Sequence, residues 1–237
     1  MDVKSISTNC TRTEFVGTAV LDTIGLVISG IDERLLKEMN VGTKYRTLGL
    51  FSSRTGAAGQ ITAIDDAVKA TNTEVLSIDF PRDTKGWGGH GNYIVLGGND
   101  VSDVRHAIQL ALELTNKYAG ELYISECGHL EFAYSSNAGT ALQMAFHAVP
   151  GEAFGFMAGS PAAIGLVMAD TAMKASAVQI TRYMTPSIGT SHSNEVIIAI
   201  TGDASAVKEA VLQARQIGLE LLIGMGSYPE SPGTPYL

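Results

Sequence analysis

The sequence predicts an α/β (α+β) protein that consists of two tandem ferredoxin-like domains. An internal repeat with an offset of about 105 residues covers most of the 237-residue chain. In each copy, apolar runs typical of strands and apolar spacings typical of helices follow one another in the order β-α-β-β-α. The expected organisation is an N-terminal extension (1–13), a first domain (14–120), a second domain (121–226) and a C-terminal tail (227–237).

Matched blocks of residues define the repeat. The offset between the two halves falls by about two residues in a Gly-rich loop, where length changes are tolerated. The matched blocks are LGL 48–50 with FGF 154–156, RTGAAG 54–59 with SPAAIG 160–165, DAVKA 66–70 with TAMKA 171–175, and GND 98–100 with GD 202–203. The two halves are therefore expected to share one fold.

Each copy is predicted to contain three strands and two helices in the matched region. Apolar residues recur at helical spacing in the first helix, as at Ile61, Ile64 and Val68. Side chains that can cap the second helix are Asp100 or Ser102 and Asp203 or Ser205. In chain order, the predicted elements are strands 47–51 and 153–158, helices 60–71 and 166–176, strands 74–80 and 178–183, strands 92–96 and 195–200, and helices 101–116 and 204–217.

A fourth strand is predicted ahead of each copy rather than after it. The candidates are residues 22–28 and 129–134, and either completes a ferredoxin-like α/β sandwich with shifted strand order. A linker is expected near residues 118–127. The Pro-rich segment 228–235 cannot propagate a helix, so we expect an extended or loose tail.

The composition argues against a nucleic-acid-binding, membrane-spanning or secreted protein. Apolar residues make up 45% of the chain, charged residues 17%, and the net charge is −8, which argues against nucleic acid as a partner. Apolar runs are too short and interrupted for a membrane-spanning helix, and the polar first 13 residues lack the apolar core of a signal peptide. Cys10 and Cys127 form no metal-binding spacing, so we expect free thiols in a reducing cytoplasm.

The residues do not predict an enzyme or a cofactor. The Gly-rich segment 86–91 lacks the Gly-Lys-Ser/Thr of a P-loop, and it precedes a strand, whereas a dinucleotide-binding loop precedes a helix. A nucleophile-elbow motif is also absent. We therefore expect no catalytic residue, no cofactor and no metal.

The second half closely resembles the bacterial microcompartment shell (BMC) domain, and the first half carries the same pattern more loosely. The resemblance rests on residues 153–156 (AFGF), 172–176 (AMKAS), 188–189 (IG), 196–200 (VIIAI) and 202–207 (GDASAV). The strand ahead of each copy resembles the circularly permuted form of that domain. Two permuted copies in one chain resemble the tandem trimeric shell proteins of the PduB and EtuB type.

The resemblance implies a structural role. Three chains would form a pseudo-hexameric trimer, a flat tile that packs edge to edge with other BMC shell proteins. The tiles would wall a polyhedral organelle in the cytoplasm, of the diol or ethanol utilisation type. Such a tile needs apolar contact surfaces, which suits the high apolar content, and no catalytic centre.

Lys69 and Lys174 occupy matching positions on the first helix of each copy. In the resembled family this lysine lies at the tile edge, so the resemblance implies a tile-edge contact for both. A lysine stem can lie along an apolar surface while its ammonium group donates to carbonyls across a seam. The alternative is an ordinary solvated helix lysine.

Two Gly-rich loops, between the second and third strands of each copy, are the candidate pore. The resemblance implies that both loops line openings on a symmetry axis and admit small polar metabolites such as diols, to which hydroxyl groups can hydrogen-bond. Flexible hairpin loops without a ligand are the alternative. The candidate residues are Asp83, Thr84, Lys85, Gly86, Trp87, Gly88, Gly89, His90, Ser187, Ile188, Gly189, Thr190, Ser191, His192 and Ser193.

Three residues of these loops have more specific candidate roles. Trp87 either gates an opening or packs beneath the tile. His90 and His192, brought together around an axis, would bind a metal or respond to pH, although a plain polar loop residue is the simpler interpretation. Neither loop contains a cysteine, so an iron–sulfur cluster there is chemically excluded. The remaining histidines show no ligand spacing.

The polar N-terminal segment is either a contact for encapsulated enzymes, as the resemblance implies, or a disordered tail. The alternative to a shell protein is a tandem ferredoxin-like sensor that binds a small molecule between its domains. A sensor would remain a small oligomer at high concentration, whereas a tile would form sheets, tubes or closed shells.

Overall fold

A computed structural model describes residues 13–81, 90–188 and 194–237. Its elements form two similar units. The first unit contains β1 (Thr13–Ala19), β2 (Thr23–Ser29), α1 (Glu33–Glu38), β3 (Thr47–Ser53), α2 (Ala58–Lys69), β4 (Thr73–Asp79), β5 (Asn92–Gly98) and α3 (Val101–Tyr118). The second unit contains β6 (Leu122–Ser125), β7 (Gly128–Ser135), α4 (Thr140–Phe146), β8 (Ala153–Ser160), α5 (Ala162–Ala175), β9 (Gln179–Met184), β10 (Val196–Gly202) and α6 (Ala204–Gly224).

The two units contain antiparallel sheets of the same order, β1-β2-β3-β5-β4 and β6-β7-β8-β10-β9. Leu50 pairs with Val95 in the first sheet, and Phe156 pairs with Ala199 at the matching place in the second. The predicted β-α-β-β-α order, the preceding strand and the tandem ferredoxin-like architecture are confirmed.

The two long helices of each unit cover one face of its sheet. In the first unit, α3 packs against β1, β2 and β3. Glycines in the strands permit this approach, because a Cβ at Gly25 would lie 2.4 Å from Ile108 Cγ2 and one at Gly49 would lie 3.0 Å from Ile108. In the second unit, α5 and α6 pack on β8 in the same way.

The short helices α1 and α4, which sequence analysis did not predict, cover the opposite faces. Leu36 of α1 lies in a buried cluster with Leu48 and Val95. Phe146 of α4 lies 5.7 Å from Phe154 and 4.9 Å from Phe156, measured between ring centroids. Each sheet is therefore buried on both faces, which explains the nearly continuous apolar runs of its central strands.

The segment predicted as a linker is structured. Residues 118–127 contain the end of α3, a 3₁₀ turn (Ala119–Glu121) and β6, an edge strand of the second sheet. A strand of only four residues, next to a turn, gives too short a pattern for sequence reasoning to recognise. The edge strand β1 was also missed, because Gly17 and mixed polar residues obscure its alternation.

The C-terminal tail is extended, as predicted, but it is not loose. Glu230 and Ile124 exchange two backbone hydrogen bonds of 2.8 Å, so the tail adds to the edge of β6. Buried Glu121 accepts from the backbone N–H groups of Tyr236 at 2.7 Å and Leu237 at 2.9 Å. Within the described residues, none of the helices is both long and apolar enough to cross a membrane.

Candidate functional site: the interface between the two units

A carboxylate of the second unit caps a helix of the first. Glu131, on β7, is almost fully buried. Its Oε1 accepts hydrogen bonds from the backbone N–H groups of Ala57 at 3.0 Å, Ala58 at 2.7 Å and Gly59 at 3.4 Å. These groups lie at the N-terminus of α2, where N–H donors lack partners within the helix. The cap therefore fixes α2 against the second sheet.

A carboxylate of the first unit caps a helix of the second in return. Asp65, on α2, has a buried side chain. Its oxygens accept from the backbone N–H groups of Gly139 at 2.8 Å, Ala141 at 2.9 Å and Leu142 at 3.2 Å, at the start of α4. The two units thus cap one another's helices, which defines their relative position more strictly than apolar packing alone.

A second polar contact across the interface joins two histidines to one glutamate. Glu195 Oε1 lies 2.6 Å from His90 Nδ1, and Glu195 Oε2 lies 3.0 Å from His129 Nε2. His90 belongs to the first unit, and the other two residues belong to the second. All three side chains are at least nine-tenths buried. The three side chains form a buried polar triad inside the protein.

The two buried glutamates of the interface titrate in opposite directions. Burial raises the pKa of Glu131 and is only partly offset by the three backbone donors, while the negative charge of Glu195 adds to the increase. Burial also opposes ionisation of Glu195, but the contacts with His129 and His90 outweigh it and lower the pKa of Glu195 to about 2. Glu195 is therefore the firmly ionised member of the pair.

The matched lysines lie in different surroundings. Lys69 donates to Asp65 at 2.8 Å and to the backbone carbonyl of Asn137 in the second unit, and a third of its side chain is exposed. Among the described residues, Lys174 pairs with Asp170 on its own helix, at 2.6 Å, and 73% of its side chain is exposed. Lys69 thus joins the two units of one chain, whereas Lys174 faces outward.

Only part of the candidate pore falls within the described residues. Ser187 and Ile188 are exposed in a tight turn after β9, closed by a hydrogen bond from the N–H of Thr185 to the carbonyl of Ile188 at 2.8 Å. The candidates Asp83, Thr84, Lys85, Gly86, Trp87, Gly88, Gly89, Gly189, Thr190, Ser191, His192 and Ser193 lie outside the described residues.

The comparison with known families decides what this architecture is. A family model described as the BMC domain matches residues 47–127 and 153–228, which together exceed half of the chain. The chain belongs to the BMC-domain family.

Several shell proteins resemble the chain over nearly its whole length. The bacterial microcompartment shell protein PduB of Citrobacter freundii is 49% identical over 229 residues, which span 97% of this chain and 85% of the relative. A crystal structure of a trimeric shell protein PduB superimposes with a TM-score of 0.91 and 44% identity, covering 94% of this chain and 99% of the other. EtuB from Clostridium kluyveri gives a TM-score of 0.91 and 46% identity, with coverages of 94% and 98%.

The structure changes the interpretation of two histidines. His90, predicted to face a pore, has only 8% of its surface exposed and lies beside Glu195 in the interface between the two BMC domains. The reason is that the next residue, Gly91, packs directly against β3, where a Cβ at Gly91 would lie 2.3 Å from the Ser53 carbonyl oxygen. His129, for which the sequence showed no role, is the partner of the same carboxylate. Among the described residues, no group of three or more His, Cys, Asp or Glu side chains is arranged to hold a metal.

Sequence reasoning missed the carboxylates that hold the two BMC domains together. One signal was available: Glu131 interrupts the apolar strand sequence GHLEFAYS, and Asp65 interrupts the apolar helix sequence ITAID. A charged residue at a position that periodicity assigns to the core is expected to have a buried partner. The partners themselves are backbone N–H groups of the other domain, about 75 residues away in the sequence, which periodicity cannot identify.

Proposed function

We propose that this chain is a structural shell protein of a bacterial microcompartment and acts as a trimeric wall tile. The observation that carries this proposal is the near-complete match, in sequence and in three dimensions, to trimeric shell proteins of the PduB and EtuB type. A cytoplasmic location and packing against other BMC shell proteins follow from this role. A sensor function has no comparable support.

The passage of small polar metabolites such as diols through the tile is the second part of the proposal. It rests on the position of the loops 83–90 and 187–193 between the second and third strands of each repeat, and on their hydroxyl-bearing residues. The exposed turn at Ser187 and Ile188 supports it, because these side chains are available to a solute.

Electron microscopy of the purified protein tests the structural role. Light scattering should give three chains per particle, and concentrated protein should assemble into sheets, tubes or closed shells. Co-expression with other shell proteins of a microcompartment should place the chain in the isolated shells. A particle that stays a monomer or dimer, with no assembly at any concentration, would contradict the proposal.

Crystals grown with 1,2-propanediol test the proposed opening. Ordered diol beside Ser187, lost in the variant Ser187→Ala while the trimer persists, would support passage of small polar molecules. Thr13→Ala is a matched control, because it removes a hydroxyl group from β1, far along the chain from the loop. Diol bound equally in all three proteins, or in none, would contradict a role for this loop.

A further inference from the structure

The first strand of the second BMC domain is shorter than its counterpart in the first. β1 has seven residues and β6 has four. Thr18 of β1 and Leu122 of β6 occupy matching places, because their partners Ile24 and Glu131 lie opposite matched positions of β3 and β8. The segment before Thr18 is a strand, whereas the segment before Leu122 is a 3₁₀ turn. β6 therefore pairs with only the first half of β7.

The C-terminal tail fills the place that the short β6 leaves. In the first domain, Glu14 of β1 pairs with Val27, which is the counterpart of Tyr134 in the repeat. In the second domain, the backbone N–H of Tyr134 donates instead to the hydroxyl group of Tyr236, at 3.4 Å. The sheet of the second BMC domain is thus completed by a segment that follows its last helix.

Specific backbone and side-chain groups hold the tail in this place. Ile124 exchanges two backbone hydrogen bonds with Glu230 of the tail. Buried Glu121 accepts from two backbone N–H groups of the tail, at 2.7 and 2.9 Å. A Cβ at Gly120 would lie 2.1 Å from a carbonyl oxygen of the tail, so the tail fits only because this residue has no side chain. We call Gly120, Glu121 and Ile124 the tail seat.

An exposed connector joins α6 to the seated tail. A Cβ at Gly224 or at Gly226 would meet no neighbouring atom within 4 Å, and Tyr228 is 80% exposed. Because the connector is not packed, it can change direction without breaking contacts of the core. Residues 226–229 span up to about 14 Å when extended. The tail can therefore leave its own domain and reach a chain that is packed alongside.

We propose that the tail seat takes the tail of a second copy of this chain, so that neighbouring tiles exchange tails in the assembled wall. The seated tail shows that this sequence fits the seat, and an identical tail from another chain makes the same contacts. Such exchange is a form of strand donation, in which a segment of one chain completes a sheet of another.

The concentration of chains decides whether exchange occurs. A short flexible connector gives the chain's own tail an effective concentration in the mM range, so dilute tiles keep their tails on their own domains. A packed wall places identical tails close to identical seats, and there the two arrangements compete. In this respect alone, the inference rests on the proposed function.

Cysteines on separate chains test the exchange. Ile124 and Glu230 form a hydrogen-bonded antiparallel pair, whose Cα atoms are about 5.5 Å apart, within the range that a disulfide bridges. Ile124→Cys and Glu230→Cys are made in separate full-length chains that carry Cys10→Ser and Cys127→Ser. The two proteins are purified separately, mixed, assembled into sheets and oxidised. Since neither chain carries both cysteines, any 124–230 disulfide found by mass spectrometry joins two chains.

Two further samples provide the controls. The double variant Ile124→Cys/Glu230→Cys should close a disulfide within one chain in dilute solution, because the tail is then seated on its own domain. In the matched control, Glu126→Cys replaces Ile124→Cys. Glu126 is exposed in the turn that follows β6, beyond the pair with Glu230. A disulfide between residues 126 and 230 therefore reports random collisions.

The outcomes separate this inference from the proposed function. A 124–230 disulfide that forms in mixed sheets, exceeds the 126–230 disulfide and is absent from the dilute mixture supports exchange between tiles. Equal amounts of the two disulfides, or none in sheets, would overturn exchange and leave the shell role standing. A double variant that does not close would overturn the tail seat itself. A wild-type protein that never assembles contradicts the proposed function, whatever the disulfides show.

Discussion

Glu131 Oε1 lies 2.7 Å from the backbone nitrogen of Ala58, so a side chain of the second BMC domain caps α2 of the first. The relationship is reciprocal, because Asp65 of that helix caps α4 of the second BMC domain. Both carboxylates are buried, and both have helix N–H groups as partners. The contact between the tandem domains is therefore specific in register as well as apolar.

Replacing Glu131 with Ala should destabilise the chain strongly. The variant leaves the N–H groups of Ala57 and Ala58 buried without an acceptor, at a cost of about 1–3 kcal/mol each. Urea unfolding followed by circular dichroism measures the loss. The control Glu126→Ala removes an exposed carboxylate and should change the unfolding free energy by less than about 0.5 kcal/mol.

The variant Glu131→Gln keeps the oxygen that caps α2 but removes the group that can ionise. The amide oxygen can still accept from α2, and the pKa of Glu131 is raised in the folded protein, so ionisation of this group costs stability. For an acid with a raised pKa, its stabilising contribution is complete below the unfolded pKa and is lost as the pH rises. We expect Gln to cost less than Ala at neutral pH. Equal losses for the two variants would contradict the capping role.

The lowered pKa of Glu195 predicts that its contribution to the unfolding free energy depends on pH in the opposite direction. Its pKa is about 2 in the folded chain, below the value of about 4.3 for an unfolded glutamate. The stability it contributes is therefore present above about pH 4.3 and is lost as the pH falls towards 2. Unfolding free energies measured between pH 6 and pH 2 should show this decline.

The variant Glu195→Gln provides the comparison. It keeps a similar shape beside His90 and His129 but cannot ionise. Its unfolding free energy should be lower than that of the wild type at pH 6 and should converge with it near pH 2. Parallel curves for the two proteins across this range would show that Glu195 does not contribute the acid dependence.

The sequence predicts the architecture well because its signals are local. The helical spacing of Ile61, Ile64 and Val68 and the apolar run 153–158 are properties of neighbouring residues, and the repeat tests each against a second copy. The family resemblance comes from the same short blocks. Each of these predictions is confirmed by the structure and by the match to the BMC family.

Sequence analysis could not predict the interface between the two domains, because the residues that meet there are distant in the sequence. Nothing near His90 indicates that Glu195 lies beside it, and a histidine amid glycines is as typical of an open loop as of a buried pair. Equal positions in the repeat also do not give Lys69 and Lys174 equal surroundings. Lys69 is partly covered by the second domain of the chain and Lys174 is not, and a tile-edge contact for either lysine stays a prediction.

The C-terminal tail should contribute to the stability of the second BMC domain. Glu121 is fully buried and accepts from Arg215 at 2.9 Å and from the backbone of Tyr236 and Leu237. Glu121→Ala leaves Arg215, with a side chain only 20% exposed, without its anion, which typically costs about 3–5 kcal/mol. Differential scanning calorimetry should show a lower Tm.

Removal of residues 228–237 should have a smaller effect than Glu121→Ala. The truncated chain loses the two backbone donors and the edge contact of Tyr236 with Tyr118, but the pair of Glu121 and Arg215 persists. A truncated chain that is less stable than Glu121→Ala would show that the tail acts mainly through contacts other than Glu121.

Alanine variants of the two matched lysines should differ in their effects on the stability of the chain and on its assembly. Lys69→Ala removes donors to Asp65 and to the Asn137 carbonyl, so we expect a loss of about 1 kcal/mol in the unfolding free energy of the chain. Lys174→Ala removes a largely exposed pair on one helix, so its effect on unfolding should be within about 0.5 kcal/mol. If Lys174 lies at a tile edge, its variant should stay trimeric while its sheets, seen by electron microscopy, become fewer and smaller. Normal sheets would exclude the edge role.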